Sequence, residues 1–347
     1  MSSVHEPTGY WVEQAWLGTE VRQRVRVLVD EAGLIAAISP DSDPQAGDRR
    51  CRGPAARFRQ RPFACVPPGA ARAHPWRQRR GFVLDLAGSD VRGGRATGPG
   101  LLPGSGPGDL CEMTLAGVTS VGEFHYLHHA PDGQPYAEPN VMAEALREAA
   151  SEAGIRLTLL DTCYLSGGLT VDGHTPLEGV QLRFGDGDAD RWASRASALK
   201  PSPGMLIGAA VHSVRAVPRD QLRTVGTFST DAPLHVHLSE QTAENDSCIG
   251  HYRMSPTELL AAEGLLGPRA TAVHATHLSE NDIHLLGSTR TTACFCPTTE
   301  RDLADGIGPA RALFDAGSAL ALGSDQHAVI DLLEEARALE LHERLDT

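Results

Sequence analysis

The sequence predicts an α/β fold, a TIM-like (β/α)8 barrel preceded by a small N-terminal β-domain. Three observations predict it. From about residue 112, short apolar runs alternate with amphipathic helical stretches, the punctuation of βαβ units. Three of those runs end in metal-type ligands or acids: His235-Val-His237-Leu-Ser-Glu240, Val273-His274-Ala-Thr-His277 and Gly323-Ser-Asp325. Barrel strands all end on one face, so residues far apart in the chain converge there. Before residue 50 the rhythm is instead that of short alternating strands.

Taken in order, residues 9–38 read as strands, with Val25, Val27 and Val29 alternating before the turn-like Asp30-Glu-Ala-Gly33 and Leu34-Ile-Ala-Ala-Ile38 after it. These make residues 1–50 a small, partial β-domain. Residues 112–347 form the barrel. Its strands are expected at Gly117–Phe124, Ile155–Leu160, Met205–Val211, Pro233–Leu238, Ala270–Val273, Thr291–Cys296 and Ala319–Leu322. A helix from Asn140 places Val141, Ala145, Leu146 and Ala149 on one face, and Ser255-Pro-Thr-Glu258 opens another with a capping-box pattern. That is seven strands where a barrel needs eight. The missing first strand belongs before residue 112.

At 347 residues and 41% hydrophobic content the chain can bury a large core. It lacks an apolar run of about 18 residues, and Met-Ser-Ser-Val-His-Glu-Pro has no signal-peptide character, so a cytoplasmic protein without membrane partners is expected. A formal charge of -13 argues against nucleic-acid binding and leaves a small-molecule substrate. A homodimer is left open. Seven cysteines without a CxxC pair suggest neither a disulfide framework nor a zinc ribbon, and Cys294 and Cys296 are expected to pack.

The composition breaks at residues 51–111, which hold ten Arg, eleven Gly and eight Pro, no Glu or Lys, and three Asp. The rest of the chain then carries 21 basic and 41 acidic residues, or -20, so this window is a basic island in an acidic protein. A linker or anion-binding insert would explain such a bias. A shifted reading frame explains more. Back-translated and moved by one base, Arg59 to Arg72 can read Ala-Asn-Ala-His-Ser-His-Ala-Phe-His-Arg-Ala-Leu-Arg-Gly. Pro62-Phe63-Ala64-Cys65 written CCA-TTC-GCA-TGC, for instance, contains CAT-TCG-CAT, which is His-Ser-His. Val83 to Gly94 permits an ordinary amphipathic segment in the same frame. The window is therefore expected to be an out-of-frame translation of the first barrel strand and the segment after it.

Zinc in a hydrolase takes nitrogen and oxygen ligands and keeps an open position, where it lowers the pKa of water towards neutrality. A carboxylate must then carry protons between that water and the leaving amine. Glu240, three residues past His237 and just beyond the strand, suits that task. A lone strand-end His is more often structural and an exposed Asp more often a helix cap, but three such elements in this order point to a site. His235 is expected to face the opposite way and pack against a helix. His277, His284 and His327 are expected on the surface or behind the site.

With these residues in hand, the chain resembles the amidohydrolase superfamily, and within it the formimidoylglutamate deiminase family. The resemblance runs through residues 9–50 and about 112–345. It rests on Gly122-Glu-Phe-His-Tyr126-Leu-His-His129, His212-Ser-Val-Arg215, His237-Leu-Ser-Glu240-Gln, Val273-His274-Ala-Thr-His277, the stretch from Cys296 to Gly306, and Gly323-Ser-Asp325. It implies a zinc enzyme of histidine degradation that hydrolyses N-formimidoyl-L-glutamate to N-formyl-L-glutamate and ammonia. His237 and Asp325 would be metal ligands, Glu240 the proton shuttle, and His274 an assistant at the tetrahedral centre. Tyr126, His212 and Arg215 match substrate contacts. Arg215 offers a bidentate fork to an acidic substrate, its plain alternative being a structural salt bridge.

Two departures bear on activity. The family's first-strand His-x-His, which supplies two zinc ligands, is absent from the translated chain. The chain also stops about 100 residues earlier than the resemblance implies, losing strands of the small β-domain. Two ligands hold zinc poorly, and nothing in a Gly/Pro/Arg-rich segment would hold Cys65 or His74 in their place. The polypeptide is therefore expected to be weakly active or inactive. The alternatives are another amidohydrolase deaminase acting on a purine-like ring, and a degenerate, non-catalytic barrel.

Overall fold

The computed structural model describes residues 8–17, 20–29, 35–51, 58–59, 63–64, 110–228, 230–325 and 330–346. The expected turn at Asp30–Gly33, His327 and nearly all of the out-of-frame window lie outside the described residues. Two compact units divide the chain, Met1–Phe58 and Arg59–Thr347.

In the first unit β1 (Thr8–Trp16) pairs antiparallel with β2 (Val21–Val29), β2 with β3 (Ile35–Ser39), and β4 (Arg49–Cys51) runs parallel to β1. Val12 and Val25, register partners, are buried together, and Ala15 joins the same cluster. Arg26 grips Asp48 through two nitrogens at 2.8 and 2.9 Å. Gly9 makes room for that pair, because a Cβ there would collide with Asp48 Oδ1.

The second unit contains the short strands β5 (Phe58–Arg59, by its second residue) and β6 (Phe63–Ala64), then seven longer parallel strands. These are β7 (Val118–His125), β8 (Arg156–Cys163), β11 (Met205–Val211), β12 (Leu234–Leu238), β13 (Ala270–His274), β14 (Thr292–Phe295) and β15 (Leu320–Leu322), neighbours in that order, with the ribbon β9 (Gly168–Thr170) and β10 (Gly173–Thr175) set apart. All seven are the strands the sequence predicts. β6 lies parallel to β7, Ala64 in register with Phe124, where a first barrel strand belongs.

Each strand presents one face to the barrel interior and one to the helices. Phe124, Leu160, Ala210, Val273, Cys294 and Cys296 fill the interior, so both cysteines pack as expected. Leu234, Val236, Leu238, Trp192, Leu222 and Leu259 form the layer beneath the helices. The helix Pro256–Ala262 opens with the expected capping box, Ser255 and Glu258 each accepting from the other's backbone N–H. The helix Ala189–Ala196 is tied to β8 by ions: Arg195 donates twice to the fully buried Asp161, at 2.8 and 2.9 Å, and Trp192 Nε1 donates to the same carboxylate. Among the described residues no helix is long and apolar enough to cross a membrane.

Candidate active site

The site is built where strand ends meet tight turns. Ser239, His274, Ala275 and Asp325 all have positive φ, at 49°, 65°, 51° and 45°. Non-glycine residues avoid that region, and such strain gathers at functional sites. Here it turns the chain sharply just past β12, β13 and β15.

His237 ends β12. Its Nδ1 lies 2.8 Å from the carbonyl of His212, which can only accept, so Nδ1 carries the proton and Nε2 keeps its lone pair. Phe124 stacks on the ring at 4.2 Å, and the His274 ring lies nearly parallel to it at 5.7 Å. His274 Nε2 stands 3.7 Å from Glu240 Oε1 and 3.9 Å from Asp325 Oδ2. Arg215 approaches Glu240 at 3.9 Å while its Nε donates to Glu244 at 3.2 Å. Tyr126 meets His212 edge-on at 5.5 Å, and His212 lies 5.0 Å from His237. A continuous chain of contacts thus brings together Tyr126, His212, Arg215, His237, Glu240, His274 and Asp325.

The electrostatics follow from burial among opposite charges. Burial pushes the His274 imidazole down, but Glu240, Glu300 and Asp325 outweigh it and hold the ring well above the ordinary histidine value. Burial likewise pushes Glu240 up, and His274, Arg215 and His237 more than reverse it. Asp325 is pushed up to about 6 by burial, with Glu240 and Glu300 adding to it against His274. Burial and then His274 push His237 down to about 4. The result is a charged imidazolium–carboxylate pair beside a neutral imidazole.

One expectation is corrected. His235 does not pack against a helix: its ring meets Phe124 edge-on at 6.1 Å on the interior face that His237 shares. Residues i and i+2 of a strand share a face, and it is Leu234, Val236 and Leu238 that turn to the helices. His277 lies outside the contact chain, its carbonyl accepting from Asn245, and His284 is exposed on the helix Glu280–Ser288, away from the site.

Three acids join the site without a sequence prediction. Glu300 accepts from His274 Nδ1 at 3.2 Å, Glu244 holds Arg215, and Asp305 accepts from Gln241, the neighbour of Glu240, at 2.9 Å. Glu300 and Asp305 fall within the Cys296–Gly306 stretch, which is their one sequence signal. His237 and Asp325 supply donor types that zinc takes, yet two protein ligands are half a site.

The sequence pattern of the Amidohydrolase family matches residues 107–346. Formimidoylglutamate deiminase of Pseudomonas aeruginosa is 37% identical over 237 residues, 67% of this chain and 52% of that protein. An 8-oxoguanine deaminase of the same organism is 29% identical over 238 residues, 67% and 51%. The chain spans about half the length of the curated relatives it matches. Among solved structures, an amidohydrolase from Brucella melitensis matches with a TM-score of 0.83 at 30% identity, over 97% of this chain and 75% of that one. An adenosine deaminase from Xanthomonas campestris with bound zinc shares the fold, with a TM-score of 0.72 at 19% identity, over 98% and 74%.

Proposed function

Because the chain belongs to the amidohydrolase family, we propose that its barrel is built to hydrolyse the amidine C–N bond of N-formimidoyl-L-glutamate, with one zinc ion, in cytoplasmic histidine breakdown. The observation that carries this reading is Arg215 beside Glu240. A fixed guanidinium next to the proton-carrying carboxylate suits a substrate with carboxylates of its own. The 37% identity to a formimidoylglutamate deiminase supports the same substrate.

His237 and Asp325 would hold the ion, which when bound supplies the Lewis acidity that makes water nucleophilic near neutral pH. In the reaction the water oxygen bonds to the formimidoyl carbon, both water protons pass to nitrogen, and ammonia leaves as the formyl C=O forms. Glu240 accepts the first proton and returns it to the leaving nitrogen. His274, held protonated by its three carboxylates, donates towards the oxygen that charges as the tetrahedral centre forms. Tyr126, His212 and Arg215 bind and orient the substrate.

Two further ligands come from the shifted frame. The second His of the hidden His-Ser-His falls at position 64, the register partner of Phe124, whose ring stacks on His237. That register supports the out-of-frame reading, since partners in a parallel pair share a face. In this polypeptide both histidines are missing, so turnover is weak or absent.

A second reading has its own observation. Tyr126 and Tyr164 flank His212 at 5.5 and 4.4 Å, with Phe184 packed against both tyrosines, and an aromatic wall suits a flat heterocycle such as a purine. Ammonia release from N-formimidoyl-L-glutamate, 8-oxoguanine, and guanine and adenine derivatives separates the two, using zinc-loaded protein from a gene in which a one-base deletion near codon 51 and a one-base insertion near codon 111 restore the frame. Turnover of the amidine alone is expected. Turnover of a ring alone selects the second reading, and none at all makes the barrel a binding protein.

A further inference from the structure

His274 does its work through Nε2, which leaves open what aims the ring. Its backbone does not, because His274, the last residue of β13, and Ala275 after it both sit in the left-handed region. The other ring nitrogen is better held. Nδ1 lies 3.2 Å from Glu300 Oε1, both residues are almost wholly buried, and water cannot compete for the bond. The carboxylate in turn is fixed, since the same oxygen accepts the Cys296 backbone N–H at 2.8 Å. The helix Pro297–Leu303 that carries Glu300 is itself anchored, Glu335 accepting from Thr298 N at 3.0 Å and from Thr298 Oγ1 at 2.5 Å.

We propose that Glu300 is a positioning residue: by holding the Nδ1 proton of His274 it fixes the ring so that Nε2 faces Glu240 and Asp325. The bond a histidine makes with one nitrogen sets what its other nitrogen can do. His274, Cys296 and Glu300 also have donor atoms within 4.8 Å of one another, a spacing that admits a metal ion. Glu300 Oε1 already accepts two hydrogen bonds there, which favours positioning over ligation.

The proposal rests on the role given to His274 above, but its test reads the ring and not turnover. The protein, metal-free and labelled with 15N in its histidine rings, is compared by NMR with Glu300→Gln, Glu300→Ala and the control Thr298→Val, His274 being assigned by His274→Asn. The parent is expected to show a protected, downfield Nδ1–H signal. Glu300→Gln keeps an acceptor but loses its charge, so the signal persists and moves upfield. Glu300→Ala loses it, and Thr298→Val leaves it in place. Should Glu300→Ala fail to fold, the upfield move in Glu300→Gln decides. In the frame-restored enzyme, Glu300→Gln should lower kcat by roughly 10–100-fold with KM unchanged. A His274 ring signal indifferent to Glu300 overturns the proposal. So does a cobalt(II) thiolate charge-transfer band that Cys296→Ser abolishes, which would make the trio a metal site. A responsive ring in a protein that ignores N-formimidoyl-L-glutamate overturns the substrate reading alone.

Discussion

His274 and Glu240 face each other across 3.7 Å, and each sets the other's charge. Burial opposes charge on both, yet the imidazole is held up and the carboxylate down. Glu240→Gln keeps the shape and removes the charge, so the His274 pKa should fall, as an NMR titration of the ring would read. Turnover of the frame-restored enzyme should fall by about 10²–10⁴-fold, the usual share of a general acid–base group. A His274 titration that does not move would break the pairing.

Asp161 tests what holds the barrel wall. It is fully buried and takes two bonds from Arg195 and one from Trp192. Asp161→Ala leaves the buried guanidinium with Asp186 as its one carboxylate, beside the Asn140 amide oxygen, and should cost about 3–5 kcal/mol in urea unfolding at neutral pH. A loss under about 1 kcal/mol would mean that the pair behaves as a solvated one.

Glu335 gives a pH dependence with a definite sign. Burial pushes its carboxyl from 4.5 up to about 7, against the two hydrogen bonds from Thr298. The native state therefore holds the proton more tightly than the unfolded chain. The stability this adds is full below the unfolded value and is lost as pH rises through the folded one, so it declines between 4.5 and about 7 and is flat above. Glu335→Gln should remove that part of the slope in a series of Tm measurements, and an unchanged slope would contradict the assignment.

Ser255 caps the helix Pro256–Ala262 and also bonds Asp282 at 2.5 Å. Ser255→Ala should cost about 0.5–2 kcal/mol, as lost N-caps do, with Ser255→Thr recovering most of it. Denaturant midpoints compare the two.

The barrel is legible in the sequence because a strand buried on both faces is a short apolar run closed by Gly, Pro or polar residues. Ser255 and Glu258 mark their helix start in the same local way. His235 is the instructive error, since period two places it with His237 and not with Leu234 and Val236. The Glu300–His274 and Glu244–Arg215 bonds join elements 26 and 29 residues apart, and no local pattern marks such pairs before the strands are assembled. Phe124 is similar: its apolar character is plain, but its stacking on His237 depends on β7 and β12 curling towards each other within one sheet.

The most direct test of the central claim is zinc content per chain, measured on the protein in its present frame and on the frame-restored one, each purified and equilibrated with the same zinc buffer. A small fraction of a zinc ion is expected in the first and close to one in the second, because only the second has the His-x-His beside β7. Near-stoichiometric zinc in the present chain, with equal turnover of N-formimidoyl-L-glutamate, would contradict it.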